Sequence, residues 1–318
     1  MKKIFKFLGI SLGALLGLVL IAVTTLNVKS LPNYQQAFPV EKIDVKLTPQ
    51  RISNGAEISA VLCNHCHGDK GKLEGKWVIT EEPFGEIYAP NITQDETFGI
   101  GAYSDGELYR LLRTGIKKDG SLAVPMMMRF PTAAEEDLYS IIAYLRSDAK
   151  AVQASQKEIP AYEAPFLAKL IFNLALKPLP LPKKTIPKPQ RSDKGYGQYL
   201  ANSLYACYDC HSSSFESNDF VTPENSVGFL GGGNPIAVGD MEAVISPNLT
   251  MHESEGIGSW TSEEFLAAVK YGKKPDGSNL AYPMLPYTFL DSSDIFAIHD
   301  YLKTVPILPK GENLASLE

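Results

Sequence analysis

Cysteine is scarce in this chain of 318 residues: there are four, which is too few for a disulfide-stapled scaffold, and they fall in two Cys-x-x-Cys pairs. Basic charge is not in excess either. Thirty Lys and Arg against 36 Asp and Glu leave a formal net charge of −6, so the chain lacks the footprint that a nucleic-acid partner requires. Alternating apolar and polar runs, the mark of half-buried strands, are few. Long hydrophobic runs are absent except for one.

That run is the uncharged stretch from Phe7 to Val28, preceded by Lys2, Lys3 and Lys6 and closed by Lys29. It exceeds the core of about 7 to 15 residues of a cleavable signal and meets the roughly 20 that a bilayer-crossing helix needs. It also ends without a small-residue cleavage site. The reading favoured is an uncleaved N-terminal transmembrane helix within residues 1–30. The lysine bias keeps its start in the cytoplasm and exports the rest. The expectation is a single-pass inner-membrane protein with its globular part on the periplasmic side.

Behind the anchor the sequence repeats. A displacement of 157 residues (247 minus 90) carries Pro90, Asn91 and Thr93 onto Pro247, Asn248 and Thr250, and Gly99-Ile100-Gly101 onto Gly256-Ile257-Gly258. Without a gap it also carries Asp119-Gly120-Ser121 onto Asp276-Gly277-Ser278, and Tyr144-Leu145 onto Tyr301-Leu302. Such self-similarity means one structural unit built twice. The units are residues 31–158 and 192–318, joined by residues 159–191. This connector holds Pro160, Pro165, Pro178, Pro180, Pro182, Pro187 and Pro189, a density that no helix or central strand tolerates. One apolar piece in it, Phe166 to Leu176, reads as a short helix packed between the units.

Within each unit the periodicity is helical. Ser104 with Glu107 and Thr261 with Glu264 form capping-box patterns at equivalent places, and Thr132 with Glu135 forms another. They precede apolar stripes that include Leu108 and Leu112, Phe265 and Val269, and Leu138, Ile141, Ile142 and Leu145. The fold predicted is all-α: two tandem helical domains after the N-terminal helix.

Histidine follows the second cysteine directly in both pairs, giving Cys63, Cys66, His67 and Cys207, Cys210, His211. Residues at i, i+3 and i+4 lie on nearly one helical face. Two thiols can then add to the vinyl groups of one haem while the imidazole reaches its iron from the same side. A redox dithiol, a zinc site and a disulfide are the rivals. They are disfavoured because the histidine recurs, no other cysteine exists, and Cys66 and Cys207 are too far apart for an ordinary zinc spacing. The sequence therefore predicts two covalently bound haem c groups.

Each unit supplies a downstream methionine as second axial ligand. Met284 stands alone in its loop, and the 157-residue displacement places it on Met127. Matching Pro125 with Pro283 instead selects Met126, and Met128 adjoins, so Met127 is preferred with its neighbours open. Asn91 and Asn248 serve either a haem propionate or their own turn. Arg113 and Lys270 read as solvated helix surface in preference to propionate partners. His65 points away from the haem face, and His252 and His299 read as exposed or packing residues.

The haem motifs, Ala89-Pro90-Asn91-Ile92-Thr93 with Gly99-Ile100-Gly101, and Ser246-Pro247-Asn248-Leu249-Thr250 with Gly256-Ile257-Gly258-Ser259-Trp260 resemble diheme class I c-type cytochromes, and in particular the cytochrome subunits of periplasmic alcohol and sugar dehydrogenases. The resemblance covers nearly all of the chain after about residue 50. It implies tandem cytochrome c domains, with His67 and Met127 on one iron and His211 and Met284 on the other. It also implies single-electron transfer from a periplasmic donor such as a dehydrogenase to another cytochrome or a terminal oxidase, with no catalysis by the chain itself. The axial loops depart from the family's Met-Pro-Tyr, reading Met127-Met128-Arg129 and Met284-Leu285-Pro286, and two haem motifs stand where dehydrogenase-linked members commonly have three. The alternative is a diheme oxidoreductase such as a peroxidase, with one open haem position.

Overall fold

The structure, a computed structural model, describes residue 17, residues 30–237 and residues 242–308. The first helix, α1 (Pro49–Leu62), starts where Thr48 caps the amide of Arg51 and Pro49 occupies the first turn. It crosses α4 (Glu135–Leu145) at Gly55, where a Cβ would lie 1.9 Å from the Ser140 carbonyl oxygen. Only glycine lets the two backbones approach that closely. The crossing is clamped at its rim by Arg51, whose Nε and Nη2 each donate to the Glu136 carboxylate at 2.8 Å. Inward, α4 sets Leu138, Ile141 and Ile142 into the core, each at most 1% exposed, and burial at this level stabilises by roughly 1.5–3 kcal/mol per side chain.

The second half repeats the plan. Its entry helix α6 (Tyr196–Gln198) crosses α9 (Ser292–Leu302) at Gly197, 1.9 Å from the Ala297 carbonyl by the same measure. Between each crossing lies the capped helix, α3 (Asp105–Thr114) or α8 (Ser262–Tyr271), and both predicted capping boxes form, with Ser104 and Thr261 accepting from the amides of Glu107 and Glu264. The third predicted box does not form. Ala134 is the N-cap of α4 and has no side-chain donor or acceptor, and the exposed amides are taken from outside the helix: Ala134 N donates to Tyr199 Oη and Glu135 N to the Ile186 carbonyl.

The halves differ ahead of the second haem motif. Cys207 lies ten residues after Gly197, whereas Cys63 lies eight after Gly55. The two extra residues are absorbed by a π-helical stretch, Tyr199–Leu204, closed by the Tyr205 amide on the Leu200 carbonyl and followed by Ala206 at φ 45°.

The all-α expectation is corrected. Helix occupies only about 32% of the structure, and two antiparallel hairpins are present: β1 (Lys76–Glu81) with β2 (Gly85–Ala89), and β3 (Pro235–Ile236) with β4 (Val244–Ile245). Their pattern was hidden because Trp77, Val78 and Ile79 are contiguous rather than alternating, and a bulge between Trp77 and Ile79 shifts the register. The expected N-terminal transmembrane helix is part of the same correction. Among the described residues no helix is long and apolar enough to cross a membrane, and the run from Phe7 to Val28, Gly17 aside, lies outside them.

The connector's apolar piece forms α5 (Phe166–Leu174) as expected, but not between the halves. Ala168 and Phe172 close a small core with Ile116 and Leu122, flanked by Tyr34, Phe38, Phe84 and Tyr162. The helix thus covers the flank of the first half. One contact between the halves is made by Tyr199, which meets Ala134 and Asp137 of the first half, while Ile186 and Lys188 of the connector bond to the start of α4.

Candidate haem-attachment sites

Each cysteine pair sits on one turn of helix, α2 (Asn64–His67) or α7 (Cys207–Cys210), wound by amide bonds from His67 to Cys63 and from His211 to Cys207. The imidazoles are turned the same way. His67 Nδ1 lies 2.8 Å from the Pro90 carbonyl oxygen, and His211 Nδ1 lies 2.9 Å from that of Pro247. A carbonyl only accepts, so Nδ1 carries the proton and Nε2 keeps its lone pair. Burial lowers both imidazole pKa values, against the opposing effect of the carbonyl, which favours the neutral ring that a metal requires. A ligating histidine with its second nitrogen tied to a backbone carbonyl is the usual arrangement at a metal centre.

The tie depends on two glycines. Gly75 and Gly232, at φ 77° and 70°, donate their amides to the His67 and His211 carbonyls. A Cβ on Gly75 would stand 2.5 Å from the Ala89 carbonyl oxygen, and one on Gly232 2.5 Å from the Pro247 carbonyl carbon. These close approaches press the Ala89-Pro90 and Pro247-Asn248 backbone against the histidine segment. The pair obeys the 157-residue displacement, so the repeat itself marks both glycines in the sequence.

Asn91 and Asn248 are spent on their own turns. Each is at most 2% exposed; its Oδ1 accepts from the amide and hydroxyl of Thr93 or Thr250, and its Nδ2 donates to Ser155 and Lys157 carbonyls or to that of Leu308. The two cations are tied to backbone carbonyls instead of lying free on the helix surface as expected. Arg113 is buried, donating to the Phe130 and Ala133 carbonyls at 2.9 and 2.6 Å over the Tyr109 ring, and Lys270 donates to the Leu290 carbonyl at 2.7 Å. Both hold the exit of the methionine loop to the helix before it.

The loops themselves superpose bond for bond. Amide-to-carbonyl bonds join Ala123 to Gly115, Met127 to Val124 and Phe130 to Leu112; their counterparts join Leu280 to Gly272, Met284 to Ala281 and Tyr287 to Val269. Every pair differs by 157, so Met127 holds the backbone position equivalent to Met284. Met126 is 40% exposed, and Met128 packs against the core.

His299 stacks on Phe265 with ring centroids 4.7 Å apart, and His252 Nδ1 accepts the Glu255 amide in a turn. His65 meets Tyr282 of the other half, with the hydroxyl 3.3 Å from Nε2. That contact and the seat of Arg129 over Phe220 had no signal in the sequence, because they join segments that only the packing of the two halves brings together.

The donor set discriminates among chemistries. None of the four thiols is in a disulfide. Burial pushes Cys63 up to about 11 and Cys207 and Cys210 up to about 12, whereas a redox dithiol needs a depressed thiol pKa. Among the described residues no three His, Cys, Asp or Glu side chains converge on a metal position. Unpaired cysteines, a neutral imidazole with a free Nε2 and a glycine-dependent close approach fit a covalently attached haem. The arrangement is of the kind that covalent haem attachment uses, and it occurs in both halves.

Comparison with known proteins agrees. The chain is similar to the fructose dehydrogenase cytochrome subunit of Gluconobacter japonicus, 29% identical over 89% of this chain and 58% of that protein. It is 28% identical to the cytochrome c subunit of a quinone alcohol dehydrogenase from Gluconacetobacter polyoxogenes, over 79% of this chain and 54% of that one. A diheme cytochrome c-type protein of Cereibacter sphaeroides is 24% identical over 71% of this chain and 73% of its own length. The chain thus spans a little over half the length of the two dehydrogenase subunits. No family model matches it.

Proposed function

We propose that the chain is a diheme electron carrier. In this reading Cys63, Cys66 and His67 hold one haem c and Cys207, Cys210 and His211 the other, with Met127 and Met284 as second axial ligands, in domains 31–158 and 192–318. The observation that carries it is the pair of histidine Nδ1 contacts to Pro90 and Pro247, which fix the tautomer and leave Nε2 free to ligate an iron in both halves.

A bound haem supplies one-electron exchange between ferric and ferrous iron. The residues of the chain set where that exchange occurs and at what potential. The cysteines fix the ring, the prolyl carbonyls fix the imidazole planes, and Arg113 and Lys270 brace the methionine loops. The electron donor is a dehydrogenase, by likeness to relatives named as cytochrome subunits of such enzymes, and the acceptor is a respiratory cytochrome or oxidase. The chain carries electrons and leaves substrate oxidation to its partner. Covalent haem attachment of this kind is completed outside the bacterial cytoplasm, so the periplasm is the compartment proposed.

The test is spectroscopy of the purified holoprotein. Two low-spin haems with a methionine-to-iron charge-transfer band, diminished in Met127→Ala and again in Met284→Ala but unaffected in Met126→Leu, are expected. A high-spin ferric component in the unmutated protein would contradict the carrier and favour an open, peroxidase-like site.

A further inference from the structure

The first methionine loop reaches the loop that follows the second cysteine segment, and the second methionine loop reaches the first cysteine segment. Arg129, two residues after Met127, places its guanidinium carbon 5.1 Å from the centroid of Phe220. Phe220 belongs to the stretch between His211 and Gly232, which is thirteen residues longer than the corresponding stretch between His67 and Gly75. That stretch is pinned to α7, because Asn218 Nδ2 donates to the backbone oxygen and to Oδ1 of Asp209 at 2.8 and 2.9 Å. Asp209 lies between Cys207 and Cys210. Arg129 is itself half-buried, and its Nε is enclosed without a hydrogen-bond partner. Burial lowers its pKa, while the nearby Asp209 and Tyr208 favour the cation. In the reverse direction Tyr282, two residues before Met284, lies with its ring centroid 5.7 Å from that of His65, between Cys63 and Cys66.

We propose that Arg129 is a positioning residue for the second haem site: a cation carried by the first methionine loop that raises the potential of the second haem. The proposal rests on the diheme reading above. A fixed positive charge disfavours the ferric state, which carries one more positive charge than the ferrous, and a half-buried charge is screened less than one at the surface. The insertion that receives Arg129 after His211 has no counterpart after His67, where the second methionine loop brings the neutral Tyr282 instead.

The experiment is a spectroelectrochemical titration of the full holoprotein in a Met127→His background, which displaces the first haem to low potential and leaves the second resolved. Arg129→Gln is expected to shift the high-potential component downward, and Arg129→Lys to restore most of that shift. A high-potential component that stays in place in Arg129→Gln, or a lysine variant no better than the glutamine variant, overturns the proposal. Intact mass taken on the same samples separates these outcomes from failure of the diheme reading, which would appear as fewer than two attached haems.

Discussion

The Tyr199 hydroxyl donates to the Asp137 carboxylate across the junction between the two halves. Asp137 is wholly buried, and its other oxygen lies 2.7 Å from Lys188 Nζ. The 157-residue displacement carries Asp137 onto Asp294, which is bonded within the second half, where Tyr196 donates to it at 3.0 Å beside Arg191. Of the two carboxylates, only Asp137 ties one half to the other. Tyr199→Phe strands a buried carboxylate oxygen and the Ala134 amide, and we expect a loss of about 1–3 kcal/mol in urea unfolding of the holoprotein. A loss under about 0.5 kcal/mol would show that water takes over the bonds.

Gly232→Ala adds a Cβ at a left-handed position against the Pro247 carbonyl carbon. Overpacking and the unfavourable φ together are expected to cost about 2–4 kcal/mol. The shift also pulls the Pro247 carbonyl from His211, so the second haem's spectrum should change while the first is kept. Gly75→Ala should mirror it, and equal perturbation of both haems by either variant would refute this local account.

The Arg51–Glu136 pair predicts a pH dependence. Its hydrogen bond with Arg51, foremost, holds the Glu136 carboxyl below its ordinary 4.5. A depressed carboxyl stabilises the fold above its unfolded value, and that stabilisation is lost as pH falls through the folded one. The side chains are 22% and 45% exposed, so the contribution is about 0.2–1 kcal/mol and weakens with salt. Denaturation midpoints measured from pH 7 to pH 3 should fall less steeply in Glu136→Gln than in the unmutated chain.

Much of this was legible in sequence. The 157-residue displacement foretold the paired helices, two capping boxes and the equivalence of Met127 with Met284, because ungapped repeats preserve backbone bonds. The hairpins were not legible: a bulged strand such as β1 breaks the alternation by which strands are read. The roles of Arg113 and Lys270 were misread because helix periodicity reports which face a residue occupies, not whether a following loop folds over it. The Arg129 and Tyr282 contacts depend on the docking of the two halves, which no local pattern encodes.

The central claim is that each Cys-x-x-Cys-His segment carries its own haem. Intact-mass measurement of the chain matured with haem-attachment machinery tests it directly. The account predicts a mass of the polypeptide plus two haems, falling to one when Cys63 and Cys66 are replaced by serine and to one when Cys207 and Cys210 are. A mass equal to the bare polypeptide, or a single haem that survives both replacements, would contradict it.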